Sequence, residues 1–349
     1  MEQQQIPLTQ RQKAVLRAVI HDYIHSAEPV GSRTVARRYA FQLGPASIRN
    51  IMADLDELGY LAQPHTSAGR VPTDRGYRFY VDTLMEPAPL SPEEAGLIER
   101  CFTPASGQVE GLMRETSQAL GSLSRCAGVV LAPRFDQLHV KRLEFVSLGP
   151  DRVLLILVAT SGVVHHKVVT VDEELPQDEL NRIARYLNEL LGGLTLREVR
   201  QLLVAKMAEE KALYDQLLRR ALALGRMTVE EDQAAEVYIG GTAHIMEQPE
   251  FAGGERMRAI FAAFEEKSRL VRILDRCLED AGLTVIIGRE LEEVGLQGFS
   301  MVASPYFQGG APLGALAVVG PTRMPYDRVV PLVEYTARLV TRLLTHETS

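Results

Sequence analysis

Residues 45–73 read PASIRNIMADLDELGYLAQPHTSAGRVPT, and two kinds of local structure meet in them. From Pro45 to Leu58 the apolar residues Ile48, Ile51, Met52, Leu55 and Leu58 recur at helical spacing and fall within about 120° of one another. Pro45 stands at the favoured first position of that helix and Gly59 at its left-handed stop. The opposite face presents Ala46, Arg49, Asn50 and Ala53. Arg and Asn suit bidentate contacts with guanine and adenine, and small alanines let a helix approach base edges. Asp54, Asp56 and Glu57 give the C-terminal half a charge that phosphates repel, so only the N-terminal half suits a groove. A solvated face on an ordinary core helix has the same periodicity, and the flanking segments separate the two readings.

Upstream, Val15, Leu16, Val19, Ile20, Tyr23 and Ile24 form one helical stripe over residues 10–24, opened by Thr9 as N-cap. Ser32 is expected to cap a second short helix running to about Tyr39, with Val35, Ala36 and Tyr39 inward. Three helices with a tight turn before the third outline a helix-turn-helix. Downstream, two short extended segments, residues 60–63 and 70–72, flank Pro64-His65-Thr66-Ser67-Ala68-Gly69. A hairpin there, with hydroxyl, backbone and Arg donors, occupies the place of a wing and is suited to phosphate or the minor groove. Thr73 then caps a helix bearing Arg75 and Arg78.

Charge distribution points the same way. Residues 1–85 carry ten Lys and Arg against eight Asp and Glu, a local +2, whereas the whole 349-residue chain is −7. A polyanion-facing module on an acidic body fits this split better than a chain that coats nucleic acid throughout.

Val30-Gly31-Ser32-Arg33-Thr34, Ala46-Ser47-Ile48-Arg49-Asn50 and Pro64 to Thr73 with Gly76-Tyr77-Arg78 resemble the HrcA family, the bacterial heat-inducible transcription repressors. The wing segment is the most specific part of a likeness that runs the length of the chain. Gly44 stands where the family commonly has Ser, and Ile51 where a carboxylate is common. The resemblance implies a homodimeric repressor that binds an inverted-repeat operator ahead of chaperonin and chaperone operons, with the GroEL chaperonin promoting its active state. The DNA-contacting set expected from pattern and resemblance together is Ser32, Arg33, Thr34, Ala46, Ser47, Arg49, Asn50, His65, Thr66, Ser67 and Arg70. Arg70 is expected to meet phosphate, weakening binding evenly across sequences when replaced.

The rest of the chain predicts an α+β protein. Residues 1–85 are the winged helix-turn-helix, and the Pro-rich 86–108 a linker around one short helix. Residues 109–174 and 276–349 are expected to form a GAF-like antiparallel sheet domain, the type of body the resemblance implies. An inserted, mostly helical dimerisation region is expected over 175–275. An amphipathic helix at 109–125 precedes three strand-like segments, Val140–Leu148, Arg152–Ala159 and Val163–Val171, read as a meander. Thr284–Gly288, Gly298–Tyr306 and Leu313–Val319 are strand-like again, before a final helix from about Pro325 to Leu344. Val237-Tyr238-Ile239 suits a short strand or a buried contact.

Other function classes find little footing. Cys101, Cys126 and Cys277 are too irregularly spaced for a disulfide framework or a zinc set. The start at Met1–Gln5 has neither part of a signal peptide, and the longest apolar run, Val153–Ala159, is far short of a membrane span. A cytoplasmic, nucleoid-associated protein without a membrane partner follows. No nucleophile–base pair, carboxylate pair or phosphate loop stands out, so neither an enzyme nor a cofactor or metal is expected. His165-His166, on opposite faces of a strand, suit a structural role. The competing reading is a ligand-gated winged-helix repressor with its small-molecule effector in the GAF-like domain.

Overall fold

The computed structural model describes residues 7–39, 41, 43–65, 68–101, 109–133, 139–160, 164–171, 173–195, 198–199, 201–202, 224, 236–251, 264, 267–279, 282–294, 296, 298–308 and 311–346. Thr66, Ser67, Gly309-Gly310 and most of the segment Thr195–Leu224 fall outside the described residues.

Helix α1, Gln10–Ser26, opens on a capping box in which Gln12 N donates to Thr9 Oγ1 (3.3 Å) and Thr9 N to Gln12 Oε1 (2.9 Å). Its stripe of Val15, Leu16, Val19 and Ile20 is buried. Helix α2, Ser32–Arg38, is capped by Gly31 without a side-chain bond, so Ser32 lies inside the first turn and is not its cap. Gly31 already has the extended backbone a cap needs (φ −91°, ψ 148°). Helix α3, Pro45–Glu57, buries Ile48, Met52 and Leu55. Strands β1, Leu61–Ala62, and β2, Val71–Pro72, pair antiparallel, and a Val30–Arg70 bridge adds a third rung. That rung needs Gly69, where a Cβ would lie 2.3 Å from the Val30 carbonyl oxygen. Helix α4, Asp74–Phe79, starts on Thr73, whose hydroxyl accepts from Gly76 N (3.1 Å) and donates to Gly59 O (2.7 Å). A π-helical turn, Tyr80–Leu84, follows.

The body is one antiparallel sheet in the order β7-β3-β10-β9-β8. Its strands are β3 (Ala127–Leu131), β7 (Val237–Gly240), β8 (Thr284–Ile287), β9 (Phe299–Gln308) and β10 (Ala311–Pro321). Both faces are covered, and side chains alternate between two cores. Val130, Val302, Leu316 and Val318 turn to helix α6, Val109–Ser124, and to the closing helix, Tyr326–His346. Ala127, Val129, Met301, Ala303, Ala317 and Val319 turn to the outer helix, Lys267–Glu279, with its Leu270, Ile273, Leu274 and Cys277.

The meander expected as the first part of this sheet forms a sheet of its own. Among the described residues, strands β4 (Val140–Ser147), β5 (Arg152–Ala159) and β6 (Val164–Thr170) pair only with each other. Helix α7, Gln177–Leu191, covers one face with Leu180, Ile183, Leu187 and Leu191, over a core separate from the other two. Amide side chains of α7 occupy the outer edge of β4. Asn188 accepts from Leu143 N (2.7 Å) and donates to Leu143 O (2.9 Å), and Gln177 treats Ser147 N and Phe145 O alike (3.0 and 2.8 Å). An edge strand satisfied in this way is closed to further pairing, so the meander cannot extend the body sheet through β4. β3 and β7, one absent from the sequence reading and one left there as strand or contact, take its place.

The winged helix shares its core with the body. Val15, Leu16, Leu55 and Tyr77 belong to one apolar cluster with Tyr326, Val333 and Leu316. The Tyr77 and Tyr326 rings lie 6.0 Å apart. Arg78 reaches Val285 O (2.6 Å) and Glu290, Arg289 N donates to Asp74 Oδ2 (3.0 Å), and Arg323 donates to Ile24 O (2.9 Å). Within the expected linker, helix α5, Pro92–Arg100, packs Ile98 inward and takes a hydrogen bond from Tyr335 on Glu99 (2.8 Å).

Two neighbouring positions in α4 should therefore respond in opposite directions. A Cβ on Gly76 would lie 2.2 Å from the Tyr60 carbonyl oxygen, so Gly76→Ala should destabilise by about 2 kcal/mol or more. The Tyr77 hydroxyl is buried with no hydrogen-bond partner, so Tyr77→Phe should be neutral or stabilise by about 1 kcal/mol. Denaturant midpoints of the two variants check both signs.

Candidate nucleic-acid interface

The interface begins from how α3 is held. Ile48, Met52 and Leu55 pin one side into the core, leaving Ala46, Ser47, Arg49 and Asn50 exposed together on the N-terminal half. Gly44 caps the helix without a side chain and Pro45 has no N–H, so the first free backbone donors are those of Ala46 and Ser47. Such donors at the positive end of a helix attract phosphate. No carboxylate of the described residues pairs with Arg49, whose guanidinium is open to solvent. On α2, Arg33 and Thr34 are exposed and Ser32 is half-buried.

The wing is built by backbone. Arg70 N donates to Val30 O and Val30 N to Arg70 O, both at 2.9 Å, which ties the wing to the loop after α1. Gln63 Nε2 donates to Ala68 O (3.1 Å) across the tip, and His65 projects into solvent. Thr66 and Ser67 lie outside the described residues. Arg70, expected to meet phosphate, makes an intramolecular contact in this DNA-free structure. Its Nε lies 2.9 Å from Asp56 Oδ2 in an ion pair whose side chains are 19% and 31% exposed. The guanidinium thus binds the C-terminal half of α3 to the wing and neutralises one of the carboxylates that face away from a groove.

Two supporting contacts have no signature in residue spacing. Arg38 and the Tyr39 hydroxyl both donate to Asp22 Oδ1 (2.9 and 3.1 Å), fixing α2 on α1. Burial first, then the Asp22 carboxylate, push the Tyr39 phenol up to about 12, so it remains a donor. Arg75 lies over the Tyr60 ring (4.8 Å to its centre), at the junction of α3, wing and α4.

Residues 7–83 match the family described as winged helix-turn-helix transcription repressor, HrcA DNA-binding, and residues 110–330 match the HrcA protein C-terminal domain. The chain belongs to the HrcA family. A Geobacter sulfurreducens protein named heat-inducible transcription repressor HrcA is 47% identical over 97% of this chain and 99% of its own length. A protein of the same name from Syntrophobacter fumaroxidans is 44% identical over 97% of each. A crystal structure described as a hypothetical protein, at 26% identity, superposes with a TM-score of 0.60 over 98% of this chain and 99% of its own. Residues 7–83 of this HrcA chain, α3 among them, are therefore a DNA-binding winged helix.

If Arg70 is a brace, Arg70→Ala and Asp56→Ala should each cost about 1 kcal/mol of stability, and the double variant little more than either alone. A double-mutant cycle on unfolding free energies measures that coupling; strict additivity of the two losses would refute the brace.

Proposed function

We propose that this protein is a non-enzymatic repressor of chaperonin and chaperone operons that binds an inverted-repeat operator as a homodimer, with its active state promoted by the GroEL chaperonin. The observation that carries the reading is the exposed Ala46–Asn50 face on the rigid, core-anchored α3. Arg49 and Asn50 read bases from that face, while Ser47, with Ser32, Arg33 and Thr34 of α2 and His65, Thr66 and Ser67 of the wing, positions the domain on the backbone. Arg70 acts from behind, as the brace of the wing. The protein works in the cytoplasm, on the nucleoid; among the described residues no helix is long and apolar enough to cross a membrane.

Assembly rests on the free-standing sheet. Its face away from α7 carries Leu154, Ile156 and Val158 along β5, with Val146 and Val168 beside Leu154, Val164 and Arg142 beside Val158, and Glu144 and His166 beside Ile156. Val164 is 53% and Val168 43% exposed, and nothing in the described chain covers them. Exposed valines around a central aliphatic row, with an Arg142–Glu144 ion pair at the β4 side, suit an interface, and a two-fold operator calls for a second copy. We assign residues 139–202, containing this sheet and α7, to the inserted dimerisation region. The five-stranded sheet with α6, the outer helix and the closing helix makes the GAF-like domain, to which the chain returns at β7.

GroEL dependence, which the family resemblance implies, is compatible with marginal stability. Domains lie only about 5–15 kcal/mol above unfolding, and apolar strands exposed before dimerisation favour off-pathway association. Free chaperonin then sets the yield of active repressor, and heat-unfolded clients lower it by competition.

Three measurements test the reading. Footprinting on the DNA upstream of chaperone operons should show one protected inverted repeat, and Arg49→Ala should cost about 1–3 kcal/mol there while relaxing one base pair. Light scattering should report a dimer for the wild type and a monomer for Ile156→Asp with Val168→Asp; a dimer in both would exclude this face. After a brief heat pulse, operator binding should recover further with GroEL, its co-chaperonin and ATP than without. Equal recovery would remove the chaperonin from the mechanism.

A further inference from the structure

On the side of the winged helix-turn-helix formed by α1 lies a cleft of about 500 Å³, within the size range of small-molecule sites. One wall is a single face of α1, where Lys13, Ala14, Arg17, Ala18 and His21 recur at helical spacing. Ala14 and Ala18 keep that wall low, so the void exists because neither position carries a longer side chain. The facing wall is aromatic: the Tyr39 and Phe41 rings stack 5.6 Å apart with planes 13° from parallel. Tyr39 is fixed from behind, its hydroxyl 3.0 Å from His21 Nδ1 and donating to Asp22.

The charge of the cleft is one-sided. Among the described residues its lining contains Lys13, Arg17 and His21 and no carboxylate. Arg17 is engaged with Leu84 O and Glu86, and His21 with Tyr39. Lys13 has no ion-pair partner among the described residues. A void with a flat aromatic side, an alanine floor and one uncommitted ammonium is complementary to a ring that carries an anion.

We propose that this cleft is a binding site for a small aromatic carboxylate, with its ring against Tyr39–Phe41 and its carboxylate on Lys13. The site lies in the winged helix, away from the GAF-like domain in which the competing reading puts a small-molecule effector. Tyr39 closes α2 and Phe41 stands in the turn before α3, so an occupant touches the connector of the helix-turn-helix itself. The assignment is independent of operator sequence and of dimerisation.

The test is calorimetric titration of the full-length protein with 1-naphthoate and with its neutral counterpart 1-naphthamide. Naphthoate should saturate at one per chain, and the amide should bind roughly tenfold more weakly. Lys13→Met should lower naphthoate to the level of the amide and leave the amide unchanged. Ala14→Leu, at a half-exposed helical position where leucine is well tolerated, should fill the floor and abolish binding of both. Equal affinity for acid and amide in the wild type, or naphthoate binding that survives Ala14→Leu with unchanged circular dichroism, would overturn the site.

Discussion

The packing of Tyr77 against Tyr326 is the contact on which the rest of the molecule depends. It joins the helix that follows the wing to the helix that closes the body, and makes one apolar core of elements some 250 positions apart in sequence. Polar ties around its rim set the angle at which the two parts meet: Asp74 to the Arg289 N–H, Arg78 to Val285 O and Glu290, and Arg323 to Ile24 O. Burying the Tyr77 hydroxyl without a partner is the cost of that docking. The DNA-reading face therefore belongs to a rigid assembly and is not a bead on a tether.

The same economy governs the wing. A hairpin with two-residue strands has too few hydrogen bonds to stand alone, and this one borrows the Val30–Arg70 rung and the Arg70–Asp56 ion pair. The residue that looks most like a phosphate contact is thereby the one that holds wing and recognition helix in register. Arg49 and Asn50, by contrast, stand exposed on α3 with no side-chain partner among the described residues.

Elsewhere the chain covers its two sheets in different ways. The body sheet has helices on both faces, and the smaller sheet covers one face with α7 and closes the β4 edge with Asn188 and Gln177 amides. Its other face, with Ile156 between Leu154 and Val158 and Glu144 and His166 beside it, is left open among the described residues.

Sequence by itself determined the elements whose signals are local. The stripe of α1, the Pro45-to-Gly59 frame of α3 and the Thr73 cap each depend on neighbours close in sequence, and each was legible. So was the exposed set on α3, because burial of Ile48, Met52 and Leu55 fixes the opposite face by geometry alone. Only the tertiary structure decided what depends on distant partners. Ala127–Leu131 is buried on both faces, so it carries no alternation and escaped detection as a central strand. Turn residues announced β4, β5 and β6, but which sheet they join was settled by α7 amides at the β4 edge. Ser32 reads as the cap of α2 in the sequence, and a backbone shift of one residue gives that place to Gly31. Arg70 reads as a surface cation until the fold brings Asp56 to it, because an ion pair is a property of two positions in space and leaves no trace in the spacing of either.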